Sequence, residues 1–170
     1  MRKLAILTAV LVGSIGPASA QQTPSPTAGP PSAPPPYGVP IDLARAEKAI
    51  AASIAEATRR GWTMDLAVVD SGANLVAFAR MDGTQLASAA IAEHKARASA
   101  LFRRPTRAFE EAAHNGAAAL SLDGVIAAAG GVPLVEDGKL IGAIGCSGGT
   151  STEDETTCLA GAATINGAGN

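Results

Sequence analysis

Aromatic side chains are nearly missing from this sequence: 170 residues hold three phenylalanines, one tyrosine and one tryptophan. A core without large rings must be assembled from small aliphatics, and alanine and glycine are plentiful enough for elements to approach closely. Such a core buries little area per residue, which points to further burial between subunits. Cysteine is as scarce. Cys146 and Cys158 are the only two, too few for a thiolate zinc site. The sequence leaves open whether they bridge or stay as two buried thiols. After residue 20 no apolar run is long enough to cross a bilayer. The two histidines, His94 and His114, show no H-x-H, H-x-x-x-H or H-E-x-x-H spacing, which disfavours a closed structural metal site.

Arg2 and Lys3 precede the apolar run "LAILTAVLVGSIG", and Ala18, Ser19 and Ala20 offer small residues for cleavage. This is the layout of a secretory signal over residues 1–20, so a periplasmic or secreted protein is expected, with no membrane insertion after cleavage. Residues 21–40 contain eight of the eleven prolines and no apolar periodicity, the composition of an extended linker. A single domain over residues 41–170 follows. Without Arg2 and Lys3 the chain has 11 basic against 15 acidic residues. That balance argues against nucleic acid or an anionic membrane as partner and favours a small molecule or another protein.

Periodicity predicts a helix in "IDLARAEKAIAASIAEATRRG", with Leu43, Ala46, Ile50, Ile54 and Ala57 at helical spacing, Asp42 as cap and Gly61 as stop. "WTMDLAVVD" and "NLVAFARM" read as a hairpin around Ser71, Gly72 and Ala73. Residues 85–102 read as an alanine-rich helix with Leu86, Ala90, Ile91, His94, Ala98 and Leu101 near one face. Pro105 ends it, and Thr106 is placed to cap "RAFEEAAH". Three short strands are expected next, "GVIAAAGG", "VPLVE" and "KLIGAIGC", the last two joined at Asp137 and Gly138. A helix from about Ser151 to Ile165 closes the chain. This order favours an α+β fold built on hairpins.

The stretch "IGCSGGTSTEDE" gathers reactive residue types. Gly145, Ser147 and Gly149 match G-x-S-x-G, but the hydrolase elbow requires a parallel sheet and a histidine after the serine, and both histidines precede Ser147. A phosphate cradle is disfavoured because Glu153, Asp154 and Glu155 crowd the helix start and repel anions. A capping box, Ser151 with Asp154 or Thr152 with Glu155, accounts for the pattern better.

A haem iron needs only one or two axial ligands and an apolar pocket, so an isolated histidine suffices. His94 lies on the long helix beside Lys95, Arg97, Arg103 and Arg104, cations suited to carboxylates. We take His94 as the candidate axial ligand and Lys95 or Arg103 as propionate partners. Met64 and Met81 are conceivable sulfur ligands that more often serve packing.

"RGWTMDLAVVDSGANLVAFARMDG", "KARASALFRRPTRAFE" and "GGVPLVEDGKLIGAIGCSGGTSTEDE", in this order, resemble the GlcG/HbpS-type family of small haem-binding proteins over nearly all of residues 41–165. The resemblance implies an antiparallel sheet of about five strands flanked by helices, broadly PAS- or profilin-like, in homo-oligomers from dimers to octamers. It also implies haem binding, sometimes described as haem degradation, and sensing of iron or oxidative stress. Lys95 and Ala96 match the family's long-helix motif, Phe102 its aromatic close, and Asp154 with Glu155 its terminal acids. Ala98 stands where relatives often carry threonine, and the two cysteines where they usually carry valine and alanine. Two rivals remain: a protein or enzyme that handles small hydroxy or keto acids through the same cations, and a non-catalytic accessory of a membrane sensor.

Overall fold

The computed structural model describes residues 33–167. The expected signal, residues 1–20, and the first part of the expected linker lie outside them. The described chain forms helix α1 (Leu43–Arg60), strands β1 (Asp65–Asp70) and β2 (Leu75–Arg80), helices α2 (Ser88–Phe102) and α3 (Arg107–His114), strands β3 (Gly131–Glu136) and β4 (Lys139–Ser147), and helix α4 (Ser151–Asn166). A short 3-10 turn, Ala117–Ser121, follows α3. The strands make one antiparallel sheet in the order β2-β1-β4-β3. The α+β expectation holds.

The strand count does not reach five. "GVIAAAGG" runs irregularly between Gly124 and Gly130, whose φ angles of 77° and 116° are foreign to a strand. Its alanines also offer little for a pleated surface to pack. Residues at the end of the expected linker are engaged as well. Pro36 and Gly38 hydrogen-bond Leu140 (2.8 and 2.7 Å), and the Tyr37 hydroxyl donates to the Leu101 carbonyl at 2.9 Å. They line β4 where β1, whose last pair is Asp70 with Gly142, has ended.

Local chemistry explains the remaining boundaries. The Asp42 carboxylate accepts from the Arg45 amide at 2.9 Å, and Gly61 closes α1 with φ 74°. Asp137 and Gly138 both adopt positive φ in the β3–β4 hairpin. The capping box on α4 is shifted by one and by two residues from the two expected frames: Thr150 and Glu153 exchange the reciprocal bonds. Asp154 and Glu155 are then free for other partners.

The sheet is covered on both faces, so its central strands lack polar alternation. Leu66, Val68, Leu134, Ile144 and Cys146 pack with Ala46, Ile50, Cys158 and Ile165 of α1 and α4, whereas Ala67, Val69 and Ala143 pack with Ala92, Ala96 and Ala100 of α2. Helix α2 lies so close to β4 that a Cβ on Gly145 would overlap the Ala92 carbonyl. Only small side chains fit this seam. Its buried residues are Ser88, Ala92, Lys95, Ala96, Ala98, Ser99 and Ala100, so of the apolar face read from the sequence Ala98 is buried while Leu86, Ala90, His94 and Leu101 are exposed. Leu86 is 83% exposed and Leu101 52%.

Among the described residues the Ser53 and Thr157 hydroxyls and the Asp65 carboxyl are buried without a hydrogen-bond partner, and Asp65 is the one that can carry a charge. Asp65 is fully buried in β1, neither carboxylate oxygen has a hydrogen-bond partner among the described residues, and the Arg80 guanidinium stays 3.9 Å away. Burial pushes its carboxyl above the ordinary range, and Arg80 only partly opposes this. A raised folded-state value favours the neutral acid, so this contribution to stability is present at low pH and lost as pH rises through the shifted range. Asp65→Asn is thus expected to stabilise the protein at pH 7 by on the order of 1 kcal/mol, and the gain should vanish below the carboxylate range. Urea unfolding of both proteins across pH checks this; equal stability at every pH would refute it.

Candidate functional site on the outer face of helix α2

The close seam with β4 gives α2 an outer stripe of Ala90, His94, Arg97 and Leu101, each three or four residues from the next, with Leu86 exposed in the turn just before the helix. His94 is the exposed centre of that stripe, and its Nε2 lies 3.2 Å from the Gly124 carbonyl. A carbonyl only accepts, so a neutral ring bonded there carries its proton on Nε2 and its lone pair on Nδ1. The Gly124 segment also carries Leu120 and Leu122, both more than half exposed. The imidazole thus stands exposed beside that segment, and no core packing requires it.

The other expected site residues do not converge on His94. Lys95, one position on, points to the opposite side and is 2% exposed. Its ammonium donates to Asp154 Oδ2 at 2.6 Å and to the Cys146 carbonyl at 3.2 Å. Lys95 is therefore a buried tie between α2, β4 and α4, not a free propionate partner. Asp154 also accepts from the Gly149 amide at 2.9 Å. Burial raises the Asp154 carboxyl, and the Lys95 ammonium and the Gly149 and Gly148 amides pull part of that rise back.

Phe102 and Arg103 sit eight and nine residues beyond His94, about 12 Å or more along the axis. Phe102 packs edge-on against Phe109 of α3, ring centroids 5.1 Å apart. Arg103 ends α2 with φ 52°, donates to the Pro35 carbonyl at 3.3 Å and stacks over the Tyr37 ring at 5.2 Å. Its charge is held by the entering chain. His114 is exposed at the end of α3, Met64 is buried in the core and Met81 packs against it. Neither methionine stands beside His94 on the stripe.

The glycine-rich stretch is structural. Ser147 is buried, with its hydroxyl 3.3 Å from that of Ser88. Glu155 pairs with Arg107 of α3. Cys146 and Cys158 form a disulfide with Cα atoms 5.7 Å apart, fixing the end of β4 to α4. Among the described residues no group of three or more His, Cys, Asp or Glu side chains is placed to hold a metal ion. An iron already held by a porphyrin asks for less, and one exposed histidine can serve it.

Residues 41–163 match the family model described as haem degrading protein HbpS-like. The protein GlcG of Escherichia coli K12 is 42% identical over 99 residues, 58% of this chain and 74% of that protein. The crystal structure of a Streptomyces reticuli HbpS double mutant superposes with TM-score 0.70 at 28% identity, covering 82% of this chain and 99% of that one. That of a PduOC:haem complex gives 0.70 at 26% identity, covering 75% and 96%.

Proposed function

The chain belongs to the HbpS-like family of haem-degrading proteins, and from that premise we propose that it is an exported haem-binding protein with His94 as axial ligand. One observation carries the assignment: His94 is exposed on the outer face of α2 while the core needs nothing from it. Bound haem would supply redox-active iron; the chain would supply the imidazole of His94. Ligation through Nε2 requires that nitrogen to leave the Gly124 carbonyl and pass its proton to Nδ1 or solvent. The contact therefore competes with the ligand.

Export is supported by the cationic and apolar start of the sequence. Homo-oligomers, and haem held between α2 and a neighbouring copy, are supported by Leu86, Leu101, Leu120 and Leu122, which one subunit leaves exposed. The hydroxy-acid reading loses Lys95 and Arg103, two of the cations open to it, because both are already engaged.

Titrating haem into the purified protein should produce a shifted Soret band. His94→Ala should weaken binding at least about tenfold, the effect of losing an interaction of roughly 1.4 kcal/mol. A mutant spectrum and affinity identical to the parent's would remove His94 from the role.

A further inference from the structure

We propose that Arg97 is the residue that recognises the carboxylate edge of the bound porphyrin, an assignment that rests on the haem reading above. Five cationic side chains lie on or just beyond α2, and four are committed elsewhere. Lys95 is buried against Asp154, and Arg103 is held by Pro35 and Tyr37. Arg104 donates to the Phe102 carbonyl and stacks over Phe109, while Arg107 pairs with Glu155. Arg97 alone of these shares the outer stripe with His94.

Its position suits the task. Arg97 follows His94 by three residues, so the two side chains leave the helix as neighbours. On the other side of His94, Ala90 is exposed and offers only a methyl group, which leaves room beside the imidazole. A porphyrin ligated at His94 carries both propionates on one edge, at a lateral distance from iron that an arginine stem can span. The guanidinium forks onto a carboxylate through two parallel N–H···O bonds, a geometry lysine lacks. Such a bond would turn the polar edge of the ring toward Arg97 and its apolar edge toward the side of Ala90.

Glu93 modulates this recognition. Its carboxylate, one turn before Arg97, is 3.2 Å from the guanidinium, and the two side chains are 32% and 49% exposed. A solvent-exposed pair at this spacing is weak and salt-screened. It keeps the guanidinium on the stripe when no ligand is bound and yields to a bidentate carboxylate from a less hydrated ligand. Glu93 is a positioning residue and also a competitor.

The test uses the purified protein, haem and haem dimethyl ester, whose iron and ring are the same but whose carboxylate charges are gone. The parent should bind haem about tenfold more tightly than the ester, as expected for a charge-assisted pair. Arg97→Gln should lower haem affinity to that of the ester, while the Soret position, which reports the iron ligand, stays where His94 sets it. Glu93→Gln should tighten haem about twofold without affecting the ester. Both positions are exposed, and circular dichroism verifies folding. If Arg97→Gln keeps the preference for haem while His94→Ala still shifts the spectrum, the Arg97 assignment falls and the haem reading stands. If the parent gives no Soret shift with either ligand, both fall together.

Discussion

Lys95→Met should lower the unfolding free energy by about 3–5 kcal/mol, the usual result of leaving one member of a buried ion pair without its partner. Asp154 would keep its place at the start of α4, 4% exposed, with only backbone amides to satisfy it. Burial would then act on its carboxyl without the opposing pull of the ammonium, so the folded-state value climbs further above the ordinary one. A raised value means stability present at low pH and lost as pH rises, so the deficit against the parent should grow through and above the carboxylate range. Pairing Lys95→Met with Asp154→Leu should recover much of the loss, because two apolar groups replace a broken pair. Urea unfolding at several pH values checks all three expectations. A deficit below about 1 kcal/mol that ignores pH would show that the pair is neither buried nor coupled.

The disulfide should contribute almost as much. Cys146 and Cys158 are separated by 12 positions, and closing a loop of that size restricts the unfolded chain enough to stabilise the fold by about 3 kcal/mol. Both residues are fully buried beside Met64, Leu66 and Ile144, so reductant should act on the folded protein only through opening. Replacing both by alanine adds the loss of two sulfur atoms from the core. Lys95 donates to the carbonyl of Cys146, so ion pair and disulfide hold the same end of β4. Their removal together should depart from the sum of the separate losses. Alkylation followed by mass determination, with and without prior reduction, reads the bridge; two thiols labelled without reductant would contradict it.

What was legible in the sequence was whatever local chemistry decides. Asp42 and Gly61 bracket α1, and Asp137–Gly138 marks the β3–β4 turn; the structure keeps both. Pairings over long separations were not legible. Lys95 and Asp154 lie 59 positions apart, and periodicity along either helix says nothing of the other. The orientation of α2 misled for a physical reason. Burial usually follows size, but Gly145 brings the α2 backbone so near the sheet that alanine and serine take the inside and leucine the outside. The acids after Thr150 fit two capping frames equally well, and the frame used is a third, because Asp154 is taken by Lys95 and Glu155 by Arg107. His94 was visible as an isolated histidine. Its isolation from Lys95, Phe102 and Arg103 was not, since helical direction appears only once the buried face is known.

The central claim is that His94 ligates haem iron from the outer face of α2. Resonance Raman spectroscopy of the ferrous complex, free of added strong ligands, reads that bond directly. The parent should show an iron–histidine stretching band, and His94→Ala should lose it, with the band restored by added imidazole. The same band in both proteins, or none in the parent, would contradict the claim.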